Sequence, residues 1–227
     1  MENSLLKVSV DTANNNFTVK SEKIDEIIVR NAEFFDKIKS AETKTVEDSF
    51  RGKGDEILVS LEDGSKISLR LFNGSPFVRF HAKVHNPGSN PIDMKSLELL
   101  DMDIELEGEK IMSYGTGGLK KPSKEEGSFA FHAFADPDTR NGIVTASLTH
   151  ERSNGAFFPR ARKNTKNPSL KVQLDFGHYQ VNPGETRPTD VIVLGYFDDA
   201  RMGLEKYASA VASYYDITLK QKPGVYC

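Results

Sequence analysis

Residues 57–71 read ILVSLEDGSKISLRL. Ile57, Val59 and Leu61 alternate with their neighbours, Asp63-Gly64 follows, and Ile67, Leu69 and Leu71 alternate on the return. A period of two puts each apolar set on one face of a strand. Asp-Gly supplies the positive backbone angles of a tight turn, so the stretch predicts a β-hairpin. The same rhythm extends in both directions. Upstream, residues 5–10, 16–20 and 24–30 are short alternating pieces divided by polar turns such as Asn14-Asn15. Phe34, Phe35 and Ile38 fit a helical turn or a strand equally well. Downstream, Val78, Phe80, Ala82 and Val84 line one face of the next strand, and Pro87-Gly88 and Pro91 break it.

The second half continues in kind. Leu100, Met102, Ile104 and Leu106 alternate with four carboxylates. Gly115 to Gly127 reads as a long Gly-, Lys- and Pro-rich loop. Phe129, Phe131 and Ala133 form one face of a further strand, with His132 and Phe134 on the other. Residues 143–150 are a strand, 160–168 a basic loop, and Leu170, Val172, Leu174 and Phe176 alternate again. Val191 to Leu194 is a continuous apolar run, the pattern of a strand covered on both faces. Many short strands joined by Gly/Pro turns predict an all-β fold, a large antiparallel β-sandwich, over 1–197.

A single helix closes the pattern, in the unit 198–227. Asp198 and Asp199 are good helix-start residues, because a carboxylate accepts orphan backbone N–H bonds. Leu204, Ala208, Val211, Ala212 and Tyr215 then recur at helical spacing. Pro223-Gly224 sets an extended exit, and Val225, Tyr226 and Cys227 follow.

Composition narrows the functions. The 227 residues carry a net charge of −3, which gives no electrostatic footprint for nucleic acid. The mean hydropathy is −0.48, and no apolar run approaches a membrane span. No signal peptide is visible, and the single cysteine fits a reducing, cytoplasmic setting. Most constellations fail on geometry. His81 and His85 lie four apart in a strand, roughly 13 Å along it, too far to share an ion. They read as a polar or interface-facing strand surface. Asp101, Asp103, Glu105 and Glu107 lack the glycine of a calcium loop and read as a solvated face. Gly115-Thr116-Gly117-Gly118 lacks the rest of a phosphate-binding motif. No metal or cofactor is expected. The stretch that keeps functional weight is His132, Phe134, Asp136, Asp138 and Arg140. Carboxylates, a guanidinium and aromatic cover suit sugar hydroxyls and the apolar face of the ring, so His132, Asp136 and Arg140 are the candidate sugar-facing residues. Asp136-Pro137-Asp138 is equally ordinary turn chemistry, and Arg140 could pair with either aspartate.

The ending "LEKYASAVASYY…LKQKPGVYC", with "HAFADPDTRNGIVTASLTHE" (132–151) and "PGETRPTDVIVLGYF" (183–197), resembles the melibiase and raffinose-synthase type of α-galactosidases. The resemblance implies a β-supersandwich, galactose-mutarotase-like, followed by a linker helix and the first residues of a catalytic (β/α)₈ barrel. It implies a non-catalytic N-terminal domain of a glycosidase acting on α-galactosides. Retaining hydrolysis needs two carboxylates about 5–5.5 Å apart, and in these enzymes both belong to the barrel. No catalytic residue is therefore assigned within 1–227. The implied partners are the barrel of the same polypeptide, the α-galactoside and a second copy in a homo-oligomer. The alternative is a stand-alone carbohydrate-binding or mutarotase-like sandwich, for which His132, His150 and His178 are the better histidine candidates.

Overall fold

The computed structural model describes residues 1–48, 52–122 and 127–218. The first strands are β1 (Leu6–Asp11), β2 (Asn16–Ser21), β3 (Glu26–Phe34) and β4 (Ile38–Asp48). Next come β5 (Gly52–Leu61), β6 (Lys66–Phe72), β7 (Val78–His85) and β8 (Ile92–Ile104). Short strands follow: β9 (Met112–Gly115), β10 (Gly118–Lys120), β11 (Ser128–Phe129) and β12 (Phe131–Ala135). The last are β13 (Gly142–Ser147), β14 (Asn154–Ala161), β15 (Pro168–Val181) and β16 (Thr186–Phe197), before helix α1 (Ala200–Tyr214). They build two antiparallel sheets: seven strands in the order β1-β2-β3-β8-β15-β14-β11, and nine in the order β10-β9-β12-β13-β16-β7-β6-β5-β4. The chain is an antiparallel β-sandwich closed by one described helix, as the alternation predicts.

The hairpin turning at Asp63-Gly64 is β5–β6, with Ser60 opposite Lys66 and Glu56 opposite Arg70. Leu61 N donates to Ser65 O at 2.9 Å, and Gly64 sits at φ +87°. A Cβ at Gly64 would lie 2.8 Å from the His85 ring, so glycine is required there twice over. The inward faces of the two sheets meet in one large core. Phe17 of β2 stacks on Phe34 of β3 at 4.9 Å and reaches Phe80 of β7 across the sandwich at 5.5 Å. Burying side chains of this size contributes roughly 1.5–3 kcal/mol each and fixes the sheets face to face.

Several expectations are corrected. The segment at Phe34–Ile38 is neither a helical turn nor one strand: β3 ends at Phe34 and β4 starts at Ile38. The loop expected from Gly115 to Gly127 begins with a small hairpin, Gly118 to Lys120 pairing back onto β9. Phe129 does not share a strand with Phe131. Ala130 has φ +66°, and across it the chain leaves the seven-stranded sheet, where β11 pairs with β14, for the nine-stranded one, where β12 pairs with β13. The basic loop is shorter than expected, because β14 and β15 pair as far as Ala161 opposite Pro168. Its two arginines are paired: Arg160 bonds Asp101, and Arg162 reaches Asp103 and Glu105 at 3.1 Å each.

Asp199 caps α1 as predicted, accepting the Arg201 amide at 3.0 Å. The docked stripe is shifted from the predicted one. Leu204 and Val211 face the sheet together with Tyr207 and Ala210, whereas Ala208 and Tyr215 are exposed. The physical reason is Gly203. Its missing side chain lets the helix lie close over Phe197 and Val144, where a Cβ would come within 2.5 and 2.8 Å. The helix thus covers the outer face of β12, β13 and β16. This is why every residue of β13 is buried, and why the Val191–Leu194 run is apolar on both sides. Residues 219–227, including Pro223-Gly224 and Cys227, lie outside the described residues.

Candidate functional site

Because α1 covers only part of the nine-stranded sheet, the outer faces of β6 and β7 remain open beside it. The alternation that sends Val78, Phe80 and Ala82 inward sends Arg79, His81 and Lys83 outward. Register then assembles rungs across the open face: Lys44, Glu56, Arg70 and Arg79 in one, and Ser68, His81 and Val191 in the next. Over these rungs lies a cavity of about 330 Å³. Arg70, Arg79 and His81 form its floor, the 149–152 loop one wall, and Tyr214 at the end of α1 another.

The loop wall is held by one buried carboxylate. Asp190 accepts the Thr149 hydroxyl at 2.6 Å, the Glu151 and Arg152 amides at 2.9 and 2.8 Å, and both the amide and the hydroxyl of Ser153. Asp190 reaches this position because the β16–β7 register slips between Pro188 and Val191. At the bulge both Thr189 and Asp190 are buried, and the Thr189 hydroxyl accepts the Ala82 amide at 3.1 Å. Burial raises the Asp190 pKa, but this ring of donors outweighs it and holds the carboxyl below its usual value. The helix end is tied to the same loop, since His150 N donates to the Tyr215 hydroxyl at 3.0 Å.

The electrostatics of the floor are cationic. Glu56, only 2% exposed, receives Ser68, Arg70 at 2.8 Å and Lys44 at 2.9 Å. Burial opposes its charge, yet these three donors bring its pKa to about 2. The His81 pKa is lowered, first by burial and then by the fields of Arg70, Lys83 and Arg152. At neutral pH His81 is therefore an uncharged imidazole under a positive field. Among the described residues no three His, Cys, Asp or Glu side chains converge as a metal cage.

The residues singled out from sequence lie elsewhere. His132 is 1% exposed on the inward side of β12, edge-on to Phe134 at 4.4 Å, with Ser113 Oγ 2.6 Å from its Nε2. Burial takes its pKa down to about 3. The Asp136 carboxyl is also buried. It clamps two loops by accepting the amides of Lys110, Asp138 and Thr139 at 2.8–3.2 Å. Arg140 sits at φ +67°, and its carbonyl accepts the Ala200 amide at the start of α1. Asp136 and Arg140 border one groove of about 540 Å³, chiefly apolar, between β9, β12 and the first turn of α1; His132 does not. His178 pairs with Asp93 on the surface, and His150 is exposed. The alternation alone reads His81 as a polar or interface-facing strand surface and assigns Arg79 no ligand role. The available signal was a His and an Arg on the polar face of a strand whose other face is wholly apolar, in the middle of a sheet.

No family model matches the chain, and no curated protein matches it. Solved structures do. A TPR-domain-containing protein from Parabacteroides distasonis superposes with a TM-score of 0.59 at 9% identity, over 87% of this chain and 46% of that one. The α-galactosidase from Lactobacillus brevis gives 0.52 at 12% identity, over 86% of this chain and 30% of that one. A galactose mutarotase-like protein from Lactobacillus casei gives 0.53 at 9% identity, over 87% of this chain and 99% of that one. The chain thus spans less than half the length of the first two. At these identities the likeness is one of fold: a mutarotase-like β-sandwich, of the kind that also occurs within α-galactosidases.

Proposed function

We propose that this chain is a non-catalytic β-supersandwich domain of a larger glycoside hydrolase of the α-galactosidase type. The supporting observation is a sandwich whose fold matches 30% of an α-galactosidase and whose last strand runs into a helix laid back on the outer face of the nine-stranded sheet. On this reading α1 leads from the sandwich to a catalytic barrel. The groove bordered by Tyr114, Leu119 and Leu204 then receives part of the barrel or a second copy of the chain. Leu119 is 60% exposed there, an apolar surface that a partner would cover. The nucleophile and acid/base carboxylates belong to the barrel, and the sandwich shapes its mouth. The test is expression of the whole reading frame that contains these residues, with hydrolysis of an aryl α-galactoside as readout. Hydrolysis that is lost when 1–197 are deleted supports the proposal. A frame with no barrel, or one whose product has no glycosidase activity, overturns it.

The cavity over His81 favours a second reading, a sandwich that itself handles a sugar. Mutarotation needs one group to take the anomeric hydroxyl proton and another to protonate the ring oxygen. Neutral His81 suits the accepting role. Polarimetry of freshly dissolved galactose with the 227-residue chain decides it: faster anomer equilibration that His81→Ala abolishes supports this reading, and an unchanged rate removes it.

A further inference from the structure

We propose that the cavity on the open half of the nine-stranded sheet binds a pyranose carrying an oxyanion, a carboxylate or a phosphate. The cavity and the pocket adjoining it across Ser68, Arg70 and His81 are bordered by six cations, Lys44, Lys66, Arg70, Arg79, Lys83 and Arg152. Among the described residues that line them, two carboxylates, Glu56 and Glu151, stand against these cations, and Asp190 lies buried behind the loop wall. Counting Asp190 as well, the described residues around the two pockets carry a surplus of three positive charges, in a chain whose net charge is −3. Register places them there: Glu56, Arg70 and Arg79 share a rung, and Lys66 lies opposite Lys83. Such a concentration repels itself unless an anion joins it, and a concave floor focuses the field.

The donors suit an oxyanion. Arg70 gives its Nε to Glu56, and Arg152 an Nη to Glu151 at 2.8 Å, so each guanidinium fork retains further N–H groups. Val191 and the 37% exposed Tyr214 give the apolar cover that the C–H face of a sugar ring requires, while Phe72 lies under the Arg79 guanidinium at 5.1 Å. At about 330 Å³ the cavity lies at the small end of ligand pockets, the size for one monosaccharide. The anion half of the inference stands on this chain's own side chains; the pyranose half rests on the carbohydrate reading above.

The experiment is calorimetric titration of the 227-residue chain with galacturonate, galactose 6-phosphate, galactose and inorganic phosphate. The expected result is binding of one or both sugar anions at least tenfold tighter than galactose, weakened in 0.5 M salt; the preferred one identifies the oxyanion. Arg152→Gln, in a surface loop, weakens that binding about tenfold. Arg79→Gln does the same, and Arg201→Gln at the far end of α1 leaves it unchanged. Galactose binding as tightly as its anions overturns the inference and leaves the carbohydrate reading standing. Phosphate binding as tightly as galactose 6-phosphate overturns the pyranose half and removes this site's support for the carbohydrate reading. No binding by any of the four, or full binding by Arg152→Gln, overturns the inference outright.

Discussion

Asp190 shows how much one side chain carries. Its two oxygens hold the whole 149–153 turn, since Thr149, Glu151, Arg152 and Ser153 all donate to them. Asp190→Asn keeps the volume but turns an NH₂ toward amide donors. The expected cost is about 2–4 kcal/mol, read as a lower Tm, with loss of the cavity wall. The pH dependence follows from the buried titratable groups. His132, with a folded pKa of about 3 against 6.5 unfolded, stays neutral inside while the unfolded chain binds protons. Stability therefore begins to fall as pH drops below about 6.5, and His81, lowered in the same direction, adds to the loss. Glu56, at about 2 against 4.5, contributes stability that is present above 4.5 and lost as pH falls toward 2; lowered Asp190 acts in the same sense. Denaturant midpoints from pH 7 to 3 should decline in two stages, and His132→Gln should flatten the first. An unchanged first stage contradicts this assignment. None of these burials was legible in sequence. A histidine in an alternating strand looks the same whether it faces a core edge or a cleft.

At the scale of elements, α1 shows what periodicity reads and what it misses. The capping aspartate and the helix were plain, because they depend on residues within one turn of each other. The docked face was not, because close approach is set by a glycine and by the rings of another strand. Gly203→Ala gains roughly 1 kcal/mol of helix propensity but drives a methyl into Phe197 and Val144. The expected net result is a loss of about 1–2 kcal/mol, seen in thermal melts. Tyr207, whose hydroxyl donates to Ser147 O at 2.8 Å and whose pKa burial raises to about 12, anchors the middle of the helix. Tyr207→Phe should cost about 1 kcal/mol and leave the strand core intact. The hairpin β5–β6 was legible for the opposite reason: turn and alternation are both local. The sheet change at Ala130 was hidden, since a non-glycine residue at positive φ leaves no compositional mark.

For the whole molecule, alternation sufficed to give two layers, because one apolar face per strand has few ways to be buried. The sandwich stands on contacts such as Phe17 with Phe80, and Phe80→Ala should cost about 3–5 kcal/mol by opening a cavity between the sheets. The cationic cavity face was not legible, because β6, β7, the 149–153 turn and the end of α1 lie far apart in sequence and meet only through sheet order. The chain's net charge of −3 also conceals the cationic patch. The helix covers β12, β13 and β16 and leaves β6 and β7 open and cationic, and that open face is the proposed ligand-binding surface. Hydrogen–deuterium exchange of the 227-residue chain, with and without saturating galacturonate or galactose 6-phosphate, tests this most directly. Added protection in residues 68–81 and 149–153, with none in 112–120 or 160–167, is the predicted result. Protection confined to the groove at Tyr114 and Leu119, or none anywhere, would contradict it.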